Sequence, residues 1–281
     1  MTYLLFNPLS NNSQGESDAK AWAEANNVSP EFTSVIGLDY KDFFGKLAAD
    51  DEVILAGGDG TVNRFANDVY GLPISNPLYL VKCGTGNDFY KDVEEYEVDG
   101  KIDLLPFIKR LPLVSVNGIQ QRFLNGVGFG VDGDTCLIGD EIREKDPGAD
   151  INYSGIAIKH LLTKFQPKHA TVEVDGEVTE IDHVWIASAM NGRYYGGGMM
   201  AAPEQNRLNE DGTCTVTVFS SVGRLPTLLR FPTFSGGKHE GKKFLIKFTG
   251  KHIKVTFDAP CALQIDGETV KDVSTYSVDC D

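Results

Sequence analysis

Two short stretches carry residue types that could do chemistry together. They are Gly57-Gly58-Asp59-Gly60-Thr61-Val62-Asn63 and Cys83-Gly84-Thr85-Gly86-Asn87-Asp88-Phe89. Each follows an apolar run, Val53-Ile54-Leu55-Ala56 and Leu78-Tyr79-Leu80-Val81, too short for a helix and read as a buried strand. After the first, a helical pattern over 62–70 stops at Gly71. Strand, glycine turn and helix start together make a phosphate site, because glycine lets the backbone approach an anion and the helix N–H groups point at it. Asp59 is the odd residue there, since a carboxylate repels phosphates unless a cation stands between. A metal–nucleotide site is one reading. An ordinary turn, with Asp59 and Thr61 capping their own helix, is the other. In an open α/β sheet both loops lie at the carboxyl ends of the strands, where ligands bind.

The elements that must position these loops read as an alternation. Strands over 3–6 and 31–36, helices over 17–26 and 39–49, and the two motif strands mean a parallel sheet with right-handed crossovers. From Leu113 the pattern is mostly β. Residues 113–116 and 121–124 flank Asn117-Gly118, and 170–174 and 178–181 flank Asp175-Gly176-Glu177, as two hairpins. Residues 184–187 read as a buried strand, and 153–165 as the one clear helix of this half. Asn125-Gly126-Val127-Gly128-Phe129-Gly130 lacks a strand–turn–helix setting and reads as close backbone packing. Near the end Asp266-Gly267-Glu268 repeats the Asp-Gly-Glu of the earlier hairpin.

The pair Gly57-Gly58-Asp59-Gly60-Thr61 and Gly84-Thr85-Gly86-Asn87-Asp88-Phe89 resembles the catalytic domain of diacylglycerol kinases and related bacterial lipid kinases. The first motif alone is shared with NAD kinases and, more loosely, phosphofructokinases; the second is the lipid-kinase form. Asn7-Pro8-Leu9-Ser10, Gly196-Gly197-Gly198-Met199, Leu208-Asn209-Glu210-Asp211-Gly212-Thr213 and Gly237-Lys238-His239 extend the resemblance over most of the chain.

The resemblance implies an ATP-dependent phosphorylation of a lipid hydroxyl with Mg²⁺. It assigns Asn7, Thr33, Gly57, Gly58, Asp59, Gly60, Thr61, Asn63, Thr85 and Asn87 to ATP. Asp88 and Asp103 join Asp59 around a catalytic Mg²⁺, and Asp211 with the main-chain oxygens of Leu208 and Thr213 holds a structural one. Glu268 is the general base and Asp59 the other catalytic residue. With no Gly-x-x-x-x-Gly-Lys-Ser/Thr run, the amides of the Gly57–Thr61 loop, with Thr61 and Thr85, must cradle the phosphates. The chain departs from the family at Asn11-Asn12-Ser13 before Gly15, at Arg64 in place of an acid, and at Lys82-Cys83.

The expected fold is α/β plus all-β. An N-terminal three-layer α/β nucleotide-binding domain spans 1–112, with the last strand, about 270–281, returning to it as the resemblance implies. A C-terminal β-sandwich-like lipid-substrate domain spans 113–269, and the nucleotide lies between the two.

Composition narrows the partners. A net charge of −14 argues against nucleic acid and against general adsorption to anionic lipid, so a lipid substrate must be met by a local patch. Two readings stand for the apolar 225–234 segment and the six lysines and one glutamate of 238–254: a membrane-docking edge, or lysines guarding edge strands. Five scattered cysteines without ligand spacing read as reduced thiols of a cytoplasmic protein. The apolar run at 3–6 is too short for a signal peptide, and no window reaches the ~20 apolar residues of a span. Transient membrane association is expected; a homodimer stays open. An NAD kinase-like enzyme and a non-catalytic nucleotide- or lipid-binding relative are the alternatives.

Overall fold

The computed structural model describes residues 1–83, 87–146, 149 and 151–280. The chain divides into two units, Met1–Arg110 and Leu111–Asp281.

The first unit is built on β1 (Thr2–Phe6), β2 (Glu31–Ser34), β3 (Glu52–Gly57), β4 (Leu78–Lys82) and β5 (Ile102–Asp103). Their order is β2-β1-β3-β4-β5, with the first four parallel and β5 antiparallel at the edge. Between them run α1 (Ser10–Ser13), α2 (Gly15–Ala25), α3 (Tyr40–Lys46), α4 (Asp59–Asp68), α5 (Asp88–Val93) and, after β5, α6 (Leu105–Ile108). Alternate residues of the strands face opposite layers. Leu4, Phe6, Ile54, Ala56 and Val81 pack with Ala19 and Ala23 of α2 on one face. On the other, Tyr3 meets Phe43 edge-on, and Phe44 and Tyr40 of α3 meet Phe65 of α4. Helices on both faces make the three layers the alternation implies.

The second unit holds β6 (Leu113–Val116), β7 (Ile119–Arg122), β8 (Gly126–Phe129), α7 (Val131–Lys145), α8 (Tyr153–Thr163), β9 (Lys168–Val174), β10 (Glu177–Met190), β11 (Cys214–Ser220), α9 (Arg224–Ser235), β12 (Leu245–Gly250), β13 (His252–Ile265) and β14 (Glu268–Asp279). The two 14-residue strands, β10 and β13, do the shaping. Each pairs with β9 along one half and with β8 along the other, bending at register shifts between Ile181 and Val184 and between Thr256 and Cys261. The sheet thereby wraps on one core, where Phe129 stacks on Phe257 at 4.0 Å beside Val127, Val172, Val255 and Tyr276. On its other face α8 and α9 pack Leu161, Phe165 and Phe234 against Trp185 and Phe219.

Two expectations are corrected here. The last strand does not return to the first unit: β14 pairs with β13 and β6, both in the second. Its Val273, Tyr276 and Val278 bury into the β core, which fixes that partner. Two further helices, α7 and α9, join α8. In α7, Gly133 and Gly139 are demanded by packing, since a Cβ would lie 2.1 Å from the Ala262 carbonyl oxygen and 2.7 Å from the Tyr153 ring. In α9, Pro226 falls in the first turn, where no N–H is needed, and only Pro232 sits inside.

Candidate functional site

The Gly57–Thr61 loop turns from β3 straight into α4. A Cβ on Gly57 would meet the Thr61 Cβ at 2.6 Å, so glycine there lets the helix start close against its own strand. Gly58 is the N-cap and offers no side-chain bond. Asp59 therefore does not cap α4. Its carboxylate reaches the next loop instead: Oδ2 accepts the N–H of Asp88 at 2.8 Å and Oδ1 that of Phe89 at 3.0 Å. These are the first two N–H groups of α5, which has no side-chain cap from Asn87. The positive end of that helix gives Asp59 a partner that neither original reading contained. Thr61 and Asn63 are buried beneath, and the main-chain and side-chain oxygens of Asn63 both accept from Asn67 Nδ2. Gly60 is exposed with open space around it. Asp88 is buried at the head of α5. Thr85, with Gly84 and Gly86, lies outside the described residues.

The other expected residues of this unit divide. Asn7 follows β1 at the same end of the sheet, its carbonyl oxygen accepting from Ser10 and lying where a Cβ on Gly15 would fall, at 1.9 Å. The intervening Asn11, Asn12 and Ser13 are absorbed by three successive left-handed residues. Thr33 stands half-buried on β2, opposite Leu5. Asp103 does not join Asp59 and Asp88. It pairs opposite Tyr79, three residues before Lys82, which puts it ~10 Å down the sheet from the loop end. It is exposed and accepts from Leu105 N. The antiparallel direction of β5, invisible in the motif, is the reason. Among the described residues no three His, Cys, Asp or Glu side chains gather as a metal cage.

In the second unit Glu268 is exposed at the start of β14, opposite Ile265. What holds it is Asp266. Asp266 and Gly267 both have positive φ, 46° and 93°, the two-residue turn that Asp-Gly favours. The Asp266 carboxylate accepts from the N–H groups of Leu124, Asn125 and Gly126, and Gln264 Oε1 accepts from Gly267 N at 2.7 Å. Burial pushes its carboxyl up to about 6 against the pull of those donors.

Beside this hairpin lies a buried polar cluster that the motifs did not reveal. Asn191 donates to the Leu124 carbonyl at 3.0 Å, and Arg207 bonds the same carbonyl and Asn125 Oδ1. Asp132 Oδ2 accepts from Tyr195 at 2.9 Å and Ser188 at 3.2 Å, while its buried Oδ1 has no partner among the described residues. Burial holds the Asp132 carboxyl up at about 6. A Cβ on Gly128 would strike Asp132 Oδ2 and Gln264 Nε2, at 1.9 and 2.6 Å. Gly126 and Gly130 are similarly crowded by Met190 and the Trp185 carbonyl. The glycine-rich run does pack closely, but the expectation that it lacks a strand–turn–helix setting is corrected: it forms β8 and turns at Gly130 directly into α7.

The loop expected to hold a structural Mg²⁺ does not fit one. Thr213 O, an expected ligand, already accepts from Gln205 Nε2 at 2.8 Å and Asn209 Nδ2 at 3.0 Å, which uses both lone pairs. Asn209 also bonds Asn206 O at 2.6 Å and takes the Thr213 N–H at 2.8 Å. Asp211 is exposed, and Leu208 donates its N–H to Asn206 Oδ1. An amide closes this loop from inside.

Comparison with known proteins gives the same two-part division. The diacylglycerol kinase catalytic domain matches residues 1–110, and the YegS C-terminal NAD kinase beta sandwich-like domain matches 125–278. A diacylglycerol kinase of Mycobacterium tuberculosis is 28% identical over 252 residues, covering 84% of this chain and 78% of that one. A crystal structure of a diacylglycerol kinase from Bacillus anthracis superposes with a TM-score of 0.63 at 22% identity, covering 99% and 93% of the two chains.

Proposed function

The chain belongs to the diacylglycerol kinase catalytic-domain family, and from that premise we propose that it transfers the γ-phosphoryl group of ATP to a lipid hydroxyl of the diacylglycerol type. The observation that carries this reading is the bond from Asp59 to the head of α5. One carboxylate ties the glycine loop after β3 to the head of α5, so the starts of α4 and α5 are held together at one end of the sheet. Phosphoryl transfer needs such positioning more than covalent help.

On this reading the α4 N-terminus and the backbone of the Gly57–Thr61 loop receive the phosphates, with Asn7, Thr33, Asn63, Thr85 and Asn87 on the nucleotide. Asp88 and Asp59 offer the oxygen-only donors that suit a hard cation, and Mg²⁺ bound there would offset the phosphate charge. Asp103 is left out of that set. Glu268 accepts the proton as the lipid oxygen bonds to the γ-phosphorus and the bond to the ADP oxygen breaks. The second unit presents the lipid, and the protein meets membranes transiently from the cytoplasm.

Labelled ATP and Mg²⁺ offered with diacylglycerol, phosphatidylglycerol, ceramide, undecaprenol and NAD⁺ test this. A labelled lipid phosphate from diacylglycerol is the expected product. Label on NAD⁺ alone, or on nothing, overturns the reading.

A further inference from the structure

Helices α8 and α9 pack their inner sides into the core through Leu161, Thr227 and Phe234, all buried. They are tied to each other by Arg224, whose guanidinium bonds the Leu161 carbonyl. Their outer sides are apolar as well. Ile158 and Leu162, one turn apart on α8, are 41% and 38% exposed; Leu225 and Leu229, one turn apart on α9, are 64% and 72% exposed, and Val222 just before them is 67% exposed. A water-facing helix surface normally carries polar side chains, so two adjoining helices that each present a leucine-type pair outward mark a contact surface.

The charge along these two segments runs against that of the whole chain, the neighbouring α7 supplying Asp134, which is held by His160 at 2.9 Å. Residues 152–169 hold Lys159, Lys164 and Lys168 and no acid, and residues 222–243 hold Arg224, Arg230, Lys238, Lys242 and Lys243 against Glu240 alone. Eight cations to one carboxylate stand in a chain with 26 basic and 40 acidic residues. Lys247, Lys251 and Lys254, which the sequence groups with this segment, belong elsewhere: they lie on or beside β12 and β13, and Lys247 is paired with Glu204 at 2.5 Å.

We propose that the outer face of α8 and α9 is the surface by which this protein docks on an anionic lipid bilayer, with Val222, Leu225, Leu229, Ile158 and Leu162 entering the interface and the lysines of the two segments meeting lipid phosphates. Apolar tips set among cations complement acyl chains beneath anionic headgroups. The net charge of −14 then orients the molecule, repelling its other faces from the same membrane. This deepens the lipid-kinase reading by naming where the membrane is met.

The test is co-sedimentation of the full chain with vesicles of phosphatidylcholine alone and with phosphatidylglycerol added. The parent should bind the anionic vesicles, more weakly as salt rises. Leu225→Asp with Leu229→Asp should weaken that binding about tenfold or more, while Ile119→Ser with Val178→Asp, exposed apolar positions on strands, should not. Equal binding by parent and the α9 variant, or no binding by the parent, overturns the proposal. So does a parent dimer in sedimentation velocity that the α9 variant abolishes, which would make the face a contact between copies. Turnover of soluble dihexanoylglycerol separates the two readings. It stays unchanged in the α9 variant if only docking is lost, and it is absent from the parent if the kinase reading fails while vesicle binding persists.

Discussion

The two Asp-Gly-Glu hairpins are nearly the same object in different surroundings. Asp175 and Asp266 have φ of 50° and 46°, each followed by a left-handed glycine and an exposed glutamate at a strand start. Each aspartate holds its turn by accepting main-chain N–H groups from a neighbouring segment. Asp175 takes those of Lys251 and His252 at the surface, and the His252 N–H holds its carboxyl below the usual range. Asp266 takes three from residues 124–126, beside a buried cluster of Asn125, Asn191, Arg207, Asp132 and Ser188. Polar side chains are costly to bury, and one hairpin alone has them gathered next to it. The turn fixes where a glutamate stands; the neighbourhood decides what it can do.

That contrast can be broken first at the aspartates. Asp266→Ala leaves three N–H donors without their acceptor and should lower unfolding stability by about 3 kcal/mol or more. Asp175→Ala exposes its donors to water and should cost clearly less. Urea midpoints at unchanged m-value read both, and equal losses would erase the distinction.

Smaller effects sharpen it from beside the second hairpin. Arg207, which braces Leu124 and Asn125, comes from the loop that Asn209 closes. Asn209→Ala should cost about 1–2 kcal/mol, whereas Asp211→Ala should be near neutral and the melting temperature should not respond to Mg²⁺. A Mg²⁺-dependent rise lost in Asp211→Ala would restore the metal site.

Asp132 gives a pH signature. Its folded carboxyl titrates near 6, above the ordinary carboxylate range, because burial disfavours its charge. The folded state therefore binds its proton more tightly than the unfolded chain does. Its contribution is complete below the unfolded value near 3.9 and is lost as pH rises through about 6. Stability should rise by about 1 kcal/mol from pH 7 to pH 5 on this account. Asp266, also held up at about 6 by burial, contributes over the same window, so Asp132→Asn should remove about half of the slope, and Asp175→Asn should leave it unchanged.

The elements around the glycine loops were legible because each is local. A short apolar run, a glycine turn and a helical period need only their own residues to be recognised, and β3–α4 and the strand β4 follow that grammar, while the six-residue α5 was too short to read. So do the 113–122 hairpin and α8. What the sequence hid was pairing across distance. Asp59 bonds N–H groups 29 and 30 positions away, and nothing in Gly-Gly-Asp-Gly-Thr shows that a second loop will receive it. Asp103 matched a motif, yet the antiparallel register of β5 set it far from the loops. The C-terminal strand found a better apolar partner than the one the resemblance offered. α7 was unreadable because its buried side carries Asp132, Gly133 and Thr135, which break the apolar period a helix normally displays.

The comparison of hairpins stands or falls on one kinetic pair. Glu268→Gln and Glu177→Gln change the same atom in the same kind of turn, so any loss of fold should be alike in both. Phosphoryl transfer from ATP to diacylglycerol is measured at saturating nucleotide, with nucleotide affinity measured separately. Glu268→Gln should lower kcat by roughly 10²–10⁴-fold with ATP binding retained, and Glu177→Gln should stay within about threefold of the parent, in the range of an exposed turn substitution. A large loss at Glu177, or parent-like rates for both, would contradict the assignment of Glu268 as the base.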